Sequence, residues 1–139
     1  MASSREVDLR HLWLFSGLSL AEQRAVLRAG RVVEHPARAI VYGEGAPGDE
    51  MAVILEGTAA VRRNGRTVAR LGVGDAVGEL AVLDGQPRSA SVVSTAPLRL
   101  LVLDRREVEG LLDRSPGLAL KLLAALAGRI READRRAFG

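Results

Sequence analysis

From residue 31 onward the chain breaks into short β-forming pieces separated by Gly, Pro, Asn and Asp. This punctuation constrains the fold more than any other feature. The pieces read RVVE, AIVY, MAVILEG, TAAVRR, RTVARLG, SASVVS and LRLLVLD. Asn64-Gly65 stands between two alternating runs and is a strong signal for a tight hairpin. EGAPGDE, from Glu44 to Glu50, reads as a Gly/Pro loop. Many short strands at fairly even spacing predict a sandwich, barrel or jelly roll rather than a parallel sheet.

Helical signals flank this β region. Leu9, Leu12, Trp13 and Phe15 form one apolar cluster that ends at Gly17. Ser19 to Glu22, SLAE, is a capping box, and Leu20, Val26 and Leu27 continue an amphipathic helix to Gly30. Helix is therefore expected over 8–30. On the other side, Asp104 with Glu107 makes a second N-terminal box and predicts a helix over 104–114. Ser115-Pro116 starts another, expected over 116–137, with proline at its first position. The first half of that last helix, LALKLLAALA, is apolar almost all round and must bury more than one face. One face suits the β domain and the other a second subunit or an effector protein. A helix lying flat on its own domain is the alternative. The expected class is α+β, mainly β, and the 139 residues suit one domain over 1–139 with no second functional domain after it.

Several function classes find no support. The chain has no cysteine, which removes thiolate metal sites, disulfides and cysteine nucleophiles. His11 and His35 are far apart and fit no metal spacing, and neither a Gly-x-Ser-x-Gly elbow nor a Walker loop occurs. The expectation is a protein that is not an enzyme and needs no metal or cofactor. Net charge is +3, but the arginines are dispersed. Even the densest group, Arg129, Arg131, Arg135 and Arg136, is interrupted by Glu132 and Asp134. With aromatics at 3% no stacking platform for nucleic acid is expected, and no DNA-binding domain is expected within these residues. No apolar run reaches membrane-span length and no signal-peptide core opens the chain, so the expected location is cytoplasmic.

One stretch carries chemistry: VGELAVLDGQPRSASV, residues 77–92. Gly74 and Gly78 let the backbone turn and come close to a ligand. Residues 79–83 are helix formers able to make one short turn whose first N–H groups attract an anion. Arg88 follows Pro87 and offers a planar fork suited to phosphate, with Ser89 able to add a hydrogen bond. Glu79 would repel a bare phosphate, but an ionised carboxylate accepts hydrogen bonds from a hydroxyl. A ribose beside a phosphate satisfies both residues. A Glu79–Arg88 ion pair that merely holds the turn accounts for the same two side chains.

The stretch resembles the phosphate-binding cassette of the cyclic nucleotide-binding domain family. Gly78, Glu79, Leu80 and Ala81, then Pro87, Arg88, Ser89, Ala90 and Ser91, stand in register with that pattern. The resemblance extends through GLSLAEQRAVL, VYGEGAPGDEMAVILEGTAAV, LGVGDAVGE and the last two helices. It implies a β jelly roll over 31–103 with a short cassette helix at 79–83, N-terminal helices and two C-terminal helices. It implies that Leu80 and Ala81 present N–H groups to a cyclic phosphate. Arg88 and Ser89 would hold the same phosphate beside Ala90, and Glu79 the ribose 2′-hydroxyl, with Gly78 allowing close approach. It places Arg129 and Asp134 where base contacts are expected, and it implies cAMP as ligand ahead of cGMP. The C-terminal helices would re-pack over the base and signal to a partner; a ligand-free interaction module with the same fold is the alternative. Two positions depart from the pattern: Val77 stands where an aromatic is common, and Arg38 where the family has a glycine.

Overall fold

A computed structural model describes residues 15–78 and 85–138. A turn at 15–18 leads into helix α1, Leu20–Ala29. Eight strands follow: β1 Arg31–His35, β2 Ile40–Tyr42, β3 Glu50–Glu56, β4 Ala59–Arg63, β5 Arg66–Leu71, β6 Ala76–Val77, β7 Ser91–Ser94 and β8 Leu98–Asp104. Helices α2, Arg105–Arg114, and α3, Pro116–Phe138, close the described chain. The expected helical start at 8–14 and the short helix at 79–83 lie outside the described residues.

The strands form two four-stranded antiparallel sheets, ordered β1-β8-β3-β6 and β2-β7-β4-β5. The two sheets make a jelly roll. Local chemistry accounts for its turns. Asn64 and Gly65 take φ of 54° and 76°, the left-handed pair that a two-residue hairpin between β4 and β5 requires. Ser19 accepts from the Glu22 N–H at 3.1 Å while Glu22 accepts from the Ser19 N–H at 2.8 Å, so α1 starts on a complete capping box. Arg38 sits at φ 65°, a left-handed conformation that suits glycine better than arginine. Its N–H donates to the Ser94 carbonyl at 2.8 Å, which holds the turn before β2 in place.

The central strands β3 and β8 are covered on both faces. Ala52 and Ile54 of β3, with Leu98, Leu100 and Val102 of β8 and Val77 of β6, point between the sheets toward Ala59 and Val92 of the other sheet. The alternate residues Met51, Val53, Leu101 and Leu103 face the helices, where Phe15, Leu18, Val26, Leu111 and Leu118 pack on them. Side chains alternate across a strand, so one antiparallel pair supplies both cores. Strand β6, only two residues long, was not among the sequence-predicted strands. Two residues carry no periodicity, and β6 exists because Val77 and Ala76 pair with Ala52 and Val53.

Among the described residues, helix α3 packs on the domain through one face. Leu118 is fully buried, and Leu122, Ala125 and Leu126 lie against the same core. The Lys121 ammonium donates to the Glu22 carboxylate at 2.7 Å, fastening α3 to the start of α1. Leu120, Leu123 and Ile130 remain exposed on the other side.

Removing Ile54, which is fully buried, opens a cavity between the sheets. Ile54→Ala is expected to lower unfolding free energy by about 2–5 kcal/mol, read from the urea midpoint. Ile40→Ala, at an exposed edge position, is expected to stay within about 0.5 kcal/mol of the parent.

Candidate functional site

Arg88 is the point on which the candidate site is built. The extended segment carrying it is tied to the Gly/Pro loop after β2: the Arg88 N–H donates to the Ala46 carbonyl at 2.8 Å, and the Gly45 N–H donates to the Arg88 carbonyl at 2.9 Å. Beyond these bonds, the Glu44 N–H donates to Ser91 Oγ at 2.9 Å. These bonds turn the side chain inward, and Arg88 is 6% exposed. Its Nη2 donates to the Glu50 carbonyl at 2.6 Å and its Nη1 to the Gly78 carbonyl at 3.2 Å. The guanidinium carbon lies 3.9 Å from the centre of the Tyr42 ring.

All of these partners are neutral. Among the described residues no carboxylate forms an ion pair with Arg88. A buried charge is costly unless it is paired, and carbonyl groups and an aromatic face offset only part of that cost. The arrangement holds the guanidinium in a fixed plane, and its described partners orient the charge without neutralising it. A planar fork is the geometry that matches phosphate oxygens.

Gly78 is required by this arrangement for two reasons. Its φ of 78° is left-handed. A Cβ there would also fall on the guanidinium of Arg88. The two ends of the sequence motif, Gly78 and Arg88, are therefore brought together in space. Ala90 is buried, and Ser89 is exposed with its carbonyl accepting from Arg63 Nε at 3.2 Å. Glu79, Leu80 and Ala81 lie outside the described residues. Asp134 is exposed on α3, and among the described residues no hydrogen bond or ion pair joins it to Gly78, Arg88 or Ser89. The side chain of Arg129 is outside the described set.

Three residues of the site have no counterpart among the sequence-predicted ones. Tyr42 lies against the guanidinium and its hydroxyl donates to Glu50 Oε2 at 3.1 Å. Glu50 supplies the carbonyl for Arg88 and also accepts from Arg31 Nη2 at 3.1 Å. Arg63 reaches Ser89 from β4. The one available signal was Tyr42, the single tyrosine in the chain.

Burial pushes the Tyr42 phenol well above the ordinary tyrosine value, and the neighbouring Glu50 carboxylate adds to the shift. The native state thus holds its proton more tightly than the unfolded chain, whose tyrosine titrates near pH ~10. The associated stability is complete below that pH and falls as pH rises beyond it toward the native value.

Residues 32–115 match the cyclic nucleotide-binding domain family. That match covers more than half of the chain and, with the fold, establishes that the chain belongs to this family. The cyclic AMP receptor protein of Thermus thermophilus is 34% identical over 126 residues, covering 87% of this chain and 58% of its own length. A CRP-like cAMP-activated global transcriptional regulator of Mycobacterium tuberculosis is 28% identical, with 87% and 56% covered. The chain therefore spans little more than half the length of these relatives. Among solved structures, the N-terminal domain of a transcriptional regulator from Streptomyces coelicolor superposes with a TM-score of 0.79 at 28% identity, covering 94% of this chain and 95% of that one. A cyclic nucleotide-binding domain from Methylobacillus flagellatus does so with a TM-score of 0.76 at 34% identity, over 86% and 72% of the two chains.

Gly78→Ala is expected to cost about 1–2 kcal/mol from the left-handed backbone alone. It should also displace the guanidinium, and an Arg88→Ala background should remove that second contribution in a double-mutant cycle. In an alkaline titration followed by near-ultraviolet absorbance, tyrosinate is expected to appear only together with unfolding, above pH ~10. A smooth ionisation near pH ~10 in folded protein would show that Tyr42 is not held as described.

Proposed function

We propose that the chain is a cyclic nucleotide sensor that favours cAMP and performs no catalysis of its own. The observation that carries this reading is the buried Arg88 guanidinium, which is held by neutral groups and has no carboxylate partner among the described residues. Arg88 and Ser89 take the cyclic phosphate together with the N–H groups of Leu80 and Ala81, beside Ala90. Glu79 accepts from the ribose 2′-hydroxyl, and Gly78 lets the ligand approach. Arg129 and Asp134 reach the base when the C-terminal helices re-pack over it. Preference for cAMP over cGMP draws on the cAMP-named relatives at 28–34% identity. Among the described residues no helix is long and apolar enough to cross a membrane, and we assign the domain to the cytoplasm.

The signal leaves through α3. Its exposed residues Leu120, Leu123 and Ile130, with the exposed Ala127 between them, follow a spacing of three, four and three. That is the seam of a helix meeting another helix. A second copy of the chain is the partner we assign to it, giving a homodimer through α3 that responds to ligand. A ligand shifts such an equilibrium only by its differential affinity for the two states.

Calorimetric titration of the wild-type chain with cAMP and cGMP is the deciding experiment. Arg88→Ala is expected to lose about 2–5 kcal/mol of binding free energy, or roughly thirty- to several-thousand-fold in Kd. Tighter binding of cGMP would replace the assigned ligand. Absence of binding to either nucleotide would leave only a protein-interaction module with this fold. At saturating cAMP, amide exchange is expected to change more in 105–138 than in β3 and β8. Leu123→Glu is expected to turn a dimer into a monomer in sedimentation; a wild-type chain that is already monomeric with and without ligand would refute the α3 assignment.

A further inference from the structure

Resting on the reading of Arg88 as a phosphate clamp, we propose that Tyr42 is its positioning residue. The ring fixes the plane of the guanidinium, and Glu50 with Arg31 fixes the ring. A guanidinium bonded to two carbonyls can still tilt about the line joining them. The Tyr42 ring at 3.9 Å removes that freedom by presenting a flat, electron-rich face to the cation. The ring in turn is pinned at its far end, where the hydroxyl donates to Glu50 Oε2 at 3.1 Å. Glu50 cannot swing away, because its Oε1 accepts from Arg31 at 3.1 Å and its carbonyl is the one that Arg88 grips at 2.6 Å. The same residue therefore orients the arginine through its backbone and the tyrosine through its side chain.

This assignment separates ring from hydroxyl. Tyr42→Phe keeps the flat face and most of its packing, whereas Tyr42→Leu keeps apolar volume and loses the face. In calorimetry with cAMP on the full chain, Tyr42→Phe is expected to bind within about threefold of wild type. Tyr42→Leu is expected to bind about five- to thirtyfold more weakly, and Tyr42→Trp to recover most of that loss.

Because the chain has one tyrosine, tyrosine isotope-labelled only at its ε ring positions gives a single ring signal in the aromatic NMR spectrum. That signal is expected to move in Arg88→Lys and again on saturation of wild type with cAMP, and to stay put in Arg62→Lys. A ring serving only as core packing would not respond to the nucleotide. Wild-type affinity in a folded Tyr42→Leu variant would overturn the proposal while leaving the phosphate clamp intact. So would a tyrosine signal indifferent to both Arg88→Lys and cAMP, and this second readout decides the matter if the leucine variant does not fold. Failure of the wild type to bind cAMP and cGMP would instead remove the clamp reading, and the positioning role with it.

Discussion

The pairing of β3 with β8 is the interaction on which the rest of the molecule depends. It runs antiparallel from Glu50 opposite Asp104 to Glu56 opposite Arg99, with one irregularity after Ile54. Both strands are buried on both faces, so a slip of one residue would exchange the inter-sheet set with the helix-facing set. The register therefore has a single solution with both cores filled, and it also sets chemistry at one end of the pair. Glu50 and Asp104 are brought opposite each other, and Arg31 bonds to both carboxylates at 3.1 Å. Glu50 holds Arg88 and Tyr42, while the Asp104 N–H donates to Glu107 at 2.9 Å where α2 begins. Packing of apolar side chains thus places the arginine's anchor beside the start of the C-terminal helices.

Two arginines differ in how their charge is met among the described residues. Arg99, on β8, is 15% exposed at its side chain and lies 3.1 Å from Glu56 and 4.0 Å from Glu34. Its charge is answered from within the protein. Arg88 is at least as buried, yet its described partners are two carbonyls and a ring. Carbonyl dipoles and a ring quadrupole orient a cation without neutralising it. A carboxylate in their place would compete with any incoming phosphate.

The fold was legible where the physics is local. The Asn64-Gly65 hairpin and the Ser19–Glu22 capping box are decided by residues three or fewer positions apart, and both stand as read. The contact of Arg88 with the Gly78 carbonyl joins two residues that the sequence motif keeps ten positions apart. What was not legible depends on distant partners. Glu50 and Arg88 are separated by 38 positions, and no pattern within either segment announces their contact. Tyr42 meets Glu50 across the Gly/Pro loop, at a separation of eight that belongs to neither helix nor strand periodicity. Strand β6 is a consequence of β3 being in place and has no signal of its own. The all-round apolarity of α3 announced that more than one face needs cover, but not which face the domain itself supplies; the seating of Leu118 on the core decides that.

Under the proposed function, these same contacts define the route by which an occupied site bears on α3. An anion on Arg88 would lessen the pull of the guanidinium on the Glu50 and Gly78 carbonyls, since those bonds draw on the same positive charge. Glu50 lies opposite Asp104, and both share Arg31, so a change in the Glu50 backbone is felt first at the start of α2. From there α2 and α3 are continuous but for Ser115, whose carbonyl accepts from the N–H groups of Leu118 and Ala119 at 3.0 and 3.2 Å. On the opposite side, the exposed Lys121–Glu22 pair holds α3 to α1 at 2.7 Å. Exposed pairs of that kind are weak and screened, so they steady a helix without locking it. The apolar contacts of Leu118 are the stronger restraint, and they act near the N-terminal end of α3. Leu122, Ala125 and Leu126 continue that seating along the helix, so under the proposed function a change at its root would be carried along α3 toward the end where the proposed base contacts lie.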